Sequence, residues 1–183
     1  MKGYIILAVI ILILLYVILC YNKIVRKKIV VEEAFSTMDV YLKKRFDMIP
    51  NLVETVKGYA KHESETLSKI VGLRGGNYSE MSDDEKIKNS IALSREIPKI
   101  LALAEAYPDL KANQNFMNLS SQLQKMEDDI ANARKYYNGA VKSYNILIQT
   151  IPTNIIAALF HFDSKKMYEV SDAQERENVQ VKF

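Results

Sequence analysis

The 183-residue sequence predicts an all-α protein: an N-terminal transmembrane helix followed by an elongated antiparallel bundle of long helices. Three observations predict it. Gly3 to Asn22 is an unbroken run of 20 uncharged, mostly aliphatic residues. Between Phe116 and Ile151, apolar or aromatic residues recur at alternating steps of three and four through eleven positions. And nowhere do β-branched residues alternate with polar ones between turn signals, the pattern a strand requires.

At about 1.5 Å per residue, the first run spans about 30 Å as a helix, the thickness of a bilayer's hydrocarbon core. A helix satisfies its own backbone in lipid, so a membrane span follows. Tyr4 and Tyr21 bracket the run at the depth where amphipathic rings settle. A cleaved signal peptide is the competing reading, but its apolar core is shorter and ends in small residues. Here the run closes Leu19-Cys20-Tyr21-Asn22, and Leu19 also stands where a lipoprotein processing site needs a small residue.

Val31, Phe35, Met38, Leu42, Phe46 and Ile49 share one helical face. The same phase continues past Pro50 through Val56, Ala60, Leu67 and Ile70, so the proline is expected to kink this helix more than to end it. Gly72, Gly75, Gly76 and Asn77 supply turn chemistry. Ser82 to Glu85 then has the form of a capping box and opens another helix, with Ile87, Ile91, Ile97, Ile100, Leu101 and Leu103 on its apolar face. Pro98 is expected to kink that helix, and Pro108 with Asp109 to end it. The long seam comes next, through Phe116, Leu119, Leu123, Met126, Ile130, Ala133, Tyr137, Ala140, Tyr144, Leu147 and Ile151. It predicts a helix of about 35 residues and about 52 Å, stopped by Pro152. A short apolar piece runs from Thr153 to Phe160. The expected division is an anchor over 1–22, a bundle over 23–160 and a polar tail over 161–183.

Charge is distributed unevenly. The chain has 25 basic and 22 acidic residues, a formal +3. Residues 1–28 hold Lys2, Lys23, Arg26, Lys27 and Lys28 and no acid, so the remainder is slightly acidic. The basic excess therefore belongs to a membrane boundary, and a nucleic-acid partner is excluded as the reason for it. Four cations after the span against one before it predict an N-terminus outside and a bundle in the cytoplasm.

Catalytic constellations are absent from the sequence. His62-Glu63 lacks the second His that a helical zinc protease places four residues on, and His161 is remote. Cys20 lies in the span, and no Gly-rich segment runs into a Lys-Ser or Lys-Thr pair. Asp83-Asp84 and Asp128-Asp129 read as a helix start and a solvated face. No cofactor, metal or enzymatic activity is expected. The polar residues that carry a hypothesis are Arg45, Asp47 and Asn51 around Pro50, and Arg134, Asn138 and Asn145 beside the long seam. They are expected to pair across the bundle, Asp47 with Arg134 or one of the asparagines, or else to form a partner-binding face. Tyr137 and Tyr144 are expected in the core, and Tyr136 on the surface.

Nearly the whole chain resembles the LemA family. The resemblance rests on Arg45-Phe-Asp47-Met-Ile-Pro50-Asn51-Leu-Val53, Tyr59-Ala-Lys-His62-Glu63, and Glu105-Ala-Tyr107-Pro108-Asp-Leu-Lys-Ala-Asn113. Phe116, Leu119, Leu123, Arg134, Tyr137-Asn138, Val141, Tyr144-Asn145 and the final Val181-Lys182-Phe183 extend it. Ile151 stands where the family more often has Phe, and the glycine-rich turn at 72–76 diverges. The resemblance implies a bacterial membrane-anchored helical bundle, with links to membrane organisation and to membrane metalloproteases. Together these readings point to a non-enzymatic scaffold in the cell membrane, with the bilayer and further copies of itself as partners. The alternative is an accessory or regulator of a membrane-bound enzyme such as a metalloprotease.

Overall fold

The structure is a computed structural model that describes residues 1–60 and 63–169. His62 and the family-like C-terminal residues therefore lie outside the described part, as does most of the expected tail. Among the described residues all regular structure is helical: α1 (Lys2–Lys57), α2 (Ser64–Gly72), a 3₁₀ turn (Tyr78–Glu80), α3 (Asp83–Leu103), α4 (Pro108–Lys111), α5 (Gln114–Gln149) and α6 (Thr153–Leu159).

α1 has 56 residues, about 84 Å, and passes through Pro50 without ending. Its N-terminal part is long and apolar enough to cross a membrane and is almost wholly exposed, which suggests membrane anchoring. The helix stops at Lys57, earlier than the continuous phase to Ile70 predicts. Gly58 and Tyr59 form a turn there, with the Tyr59 and Ala60 amides both donating to the Val56 carbonyl. Glycine's low helix propensity accounts for a break at this point. α2 resumes the apolar phase with Leu67 and Ile70 buried.

α3 begins as its sequence predicts. The Ser82 hydroxyl accepts from the Glu85 amide, and the Glu85 carboxylate accepts from the Ser82 amide and hydroxyl. Those bonds to the ionised carboxylate hold Glu85 below the usual carboxylate range. Pro98 sits inside α3, and Pro108 occupies the first turn of α4, where its missing N–H costs nothing.

The chain divides into two compact units, one formed by Met1–Thr37 with Ala133–Met167, the other by Met38–Asn132 with Tyr168 and Glu169. In the first, Phe35 packs edge-on against Tyr137 at 5.7 Å, and Tyr21 meets Phe160 at 4.9 Å. Higher numbers on one strand of the pairing meet lower numbers on the other, so α1 and the 137–160 segment run antiparallel. Ile24, Val31, Ala34, Tyr137, Val141, Tyr144 and Ile148 are buried here.

The second unit is built on α1 from Met38. Asp39 pairs with Lys86, and Arg45 with Ser90 and Ser94, so α3 runs in the same direction as α1. Arg45 also meets Glu127, and Tyr59 meets Asn113, so this part of α5 runs antiparallel to α1. α2 packs on α3. Leu42, Phe46, Ile49, Leu52, Leu93, Ile97, Ile100 and Leu123 form the core.

The α5 seam is buried at most of the expected positions; Leu119 and Met126 are half-buried, and the largest departure is at its C-terminal end. Phe116, Leu123, Ile130, Ala133, Tyr137, Ala140 and Tyr144 are buried, but Leu147 is only half-buried and Ile151 is 78% exposed. Val141 and Ile148 replace them. An α-helix drifts about 20° per heptad against a strict seven-residue repeat, and Ile151 lies beyond the end of α5, in the turn before α6. The buried stripe therefore moves one residue along.

Candidate functional site

The most enclosed polar cluster surrounds Arg45, which is fully buried, at 0% exposure. It occupies the apolar face of α1 between Leu42 and Phe46, where a charge is tolerated only with partners. One terminal nitrogen, Nη1, donates to Ser94 Oγ at 2.7 Å and to Glu127 Oε1. The other, Nη2, donates to the Ser90 carbonyl at 2.7 Å and to Ser90 Oγ. Ser94 Oγ reaches Glu127 Oε2 at 3.2 Å, and Ser90 Oγ shares a 2.9 Å bond with the Tyr168 hydroxyl. Within this cluster, among the described residues, Arg45 Nε has no hydrogen-bond partner. One guanidinium thus ties α1 to α3 and α5, and it fixes their axial register. Ser90 and Ser94 lie four apart between Ile87 and Ile97. Two hydroxyls in an apolar stripe were the signal for this cluster, and sequence reasoning passed over them.

A second cluster joins α1 to the turn before α3. Tyr78 Oη donates to Asp39 Oδ1 at 2.7 Å, and Lys86 donates to Asp39 Oδ2 at 2.9 Å. Lys86 also stands 5.2 Å from the centre of the Tyr78 ring, which packs on Phe46. Burial, then the bond to the Asp39 carboxylate, pushes the Tyr78 phenol well above its ordinary value.

A third set holds an extended strap against α5. Asn145 grips the backbone of Lys165 at both ends: its amide nitrogen donates to the Lys165 carbonyl at 2.8 Å, and its oxygen accepts from the Lys165 amide at 2.9 Å. Tyr144 donates to the Asp163 carbonyl at 3.0 Å, and Tyr137 to the Lys166 carbonyl at 2.9 Å. Burial first, then the charges of Asp163 and Glu32, raise the Tyr144 phenol. The described start of the expected tail is thus held in place, and in the other unit Tyr168 is 4% exposed. Its lack of periodicity hid this, because the strap is read through its main chain. Asn145→Ala removes two hydrogen bonds at about 1 kcal/mol each. Hydrogen exchange at the Lys165 amide is expected to accelerate markedly, and unchanged protection would refute the clamp.

The remaining singled-out residues fall as follows. Asp47 is exposed and pairs with Lys43 at 2.7 Å, one turn back on α1, instead of with Arg134 or an asparagine. A short carboxylate finds a lysine four residues away on its own helix more readily than a partner on another. Pro50 is half-buried, and Asn51 is exposed, its carbonyl accepting from the Thr55 hydroxyl. Tyr107 reaches Glu63 at 3.4 Å. Arg134 and Asn138 are half-buried on α5, and Tyr136 is exposed. Tyr4, Lys23 and Arg26 are exposed. Lys27 and Lys28 are half-buried, the latter 3.9 Å from Glu32.

The LemA family model matches residues 34–183, which include all three clusters. The chain belongs to the LemA family. It is 28% identical over 158 residues to Protein LemA of Metamycoplasma hominis, covering 84% of this chain and 70% of that one. It is also 27% identical over 107 residues to a magnetosome protein MamQ of Paramagnetospirillum magneticum. That match covers 58% of this chain and 37% of the relative. The magnetosome protein MamQ of Magnetospirillum gryphiswaldense matches at 24% over 96 residues, 52% of this chain and 33% of that one. The chain thus spans about a third of the length of the MamQ relatives.

Proposed function

We propose that this LemA-family chain is a non-enzymatic, membrane-anchored scaffold whose helices stand in the bacterial cytoplasm as a surface for protein assembly, including assembly with further copies of itself. The observation that carries this reading is α1. The helix that bears an exposed apolar run at its start supplies, further along, the buried residues Met38, Leu42, Ile49 and Leu52. Whatever docks on those helices is thereby held near the membrane.

The polar clusters support a structural role. The groups around Arg45 and Asp39 are directed at one another and consumed by mutual bonds. A catalytic site instead converges such groups on a cavity that a substrate can enter. Exposed Tyr136 and Ile146 on α5 offer apolar contact area for a partner.

Purification in gentle detergent followed by mass measurement tests the proposal. A protein mass that is a multiple of 21.0 kDa is expected. Monomer at every concentration overturns self-assembly. Stoichiometric recovery with a membrane enzyme overturns the scaffold reading in favour of an accessory one.

A further inference from the structure

We propose that α6 is a second membrane contact, its outer ridge of Ile151, Ile155 and Leu159, ending in Phe160, lying in the boundary between headgroups and acyl chains. This rests on the reading of residues 3–22 as a bilayer span.

α6 is apolar on both sides. Thr153, Ile156 and Ala157 are buried against the rest of the unit. On the opposite side Ile155 is 66% and Leu159 68% exposed, continuing the exposed Ile151 at spacings of four. Phe160 extends the ridge, and no Asp, Glu, Lys or Arg occurs from Ile151 to Phe160. A helix apolar all round is buried in something.

Its position identifies the occupant. Phe160 and Phe162 pack on Tyr21, at 4.9 and 5.6 Å between ring centres, and Tyr21 stands at the end of the uncharged run. The register of α1 against α5 agrees. From the Phe35–Tyr137 pair, Gln149 lies 12 residues along α5, about 18 Å, and an equal step back along α1 reaches Lys23. The chain therefore turns into α6 where aliphatic residues give way to Lys23, Arg26 and Lys27. Exposed Lys165 follows on the strap. An uncharged apolar ridge beside cations, level with the end of a span, has the composition of an interfacial element.

The chain has no tryptophan, so one introduced indole reports its own surroundings. Ile155→Trp and, separately, Leu12→Trp are placed in the full chain and reconstituted in phosphatidylcholine–phosphatidylglycerol vesicles. Some vesicles carry lipids brominated near the top of the acyl chains, others near the bottom. The Ile155→Trp protein is expected to lose most of its emission to the shallow bromines and little to the deep ones. The Leu12→Trp protein is expected to show the reverse. Quenching at position 12 without quenching at 155 overturns this inference and leaves the span standing. If emission at 155 then shifts to longer wavelength on dilution with lipid, a second copy covers the ridge. Absence of quenching at both positions overturns the span itself. Ile155 is exposed, so the larger indole does not strain the core, and a thermal melt matching the parent's confirms that.

Discussion

Replacing Arg45 with Met is expected to lower stability by about 3–5 kcal/mol, because it leaves a buried network without its cation. Ser90, Ser94 and Glu127 all direct oxygens at one guanidinium. Methionine fills much of the side chain's volume, so the cost arises from stranded polar groups more than from a void. Glu127 is partly exposed, with 36% of its side chain accessible, and can recover some hydration. Ser90, at 2% exposure, cannot. Glu127→Gln keeps an acceptor and a similar shape, so a loss of about 1–2 kcal/mol is expected, the value of a charge-assisted bond. The double variant Arg45→Met with Glu127→Gln should be less destabilised than the sum of the single changes, since it leaves no unpaired charge behind. Denaturant unfolding of the detergent-solubilised chain measures all four proteins. A loss below about 1 kcal/mol for Arg45→Met would show that the network contributes little to folding.

The Arg45 cluster also shows which features a sequence displays and which it hides. α5, the capping box of α3 and the apolar run of α1 were all legible because each depends on residues near in sequence. Arg45 was picked out as a polar residue on a bundle helix, but its partners were not. They lie 45 to 82 positions away, and no periodicity reports a contact at that range. Gly58 was overlooked because the apolar phase from Val56 to Ala60 is unbroken while the backbone between them turns. The strap was missed for a different reason: Asn145, Tyr144 and Tyr137 bond carbonyls and an amide of Asp163, Lys165 and Lys166. Any side chains would serve at those positions, so the strap carries no pattern. Ile151 is exposed because α5 ends at Gln149, ahead of Pro152, and leaves Ile151 in the turn.

Moving the flanking charge should turn the whole protein over. The basic excess of the chain is local: Lys23, Arg26, Lys27 and Lys28 follow the apolar run, and only Lys2 precedes it. Orientation responds to lysine and arginine close to the span, and acidic residues elsewhere contribute little. A chain with these four changed to Gln, together with Gly3→Lys and Tyr4→Lys, is therefore expected to insert in the opposite sense. Its uncharged run then extends from Ile5 to Val31 and keeps the aliphatic stretch needed to cross. Stability should scarcely change, since the one ion pair lost, Lys28 with Glu32, is a 3.9 Å surface pair one turn apart worth at most a few tenths of a kcal/mol. Cys20 is the sole cysteine, so Cys20→Ser combined with Lys125→Cys leaves one thiol, on an exposed position of α5. In the otherwise unaltered chain, a membrane-impermeant maleimide should reach it only after cells are opened; in the charge-exchanged chain it should react in intact cells. Labelling of the unaltered chain in intact cells would place the helices outside and contradict the cytoplasmic scaffold. The same labelling in both chains, before or after opening, would show that something other than flanking charge sets the orientation.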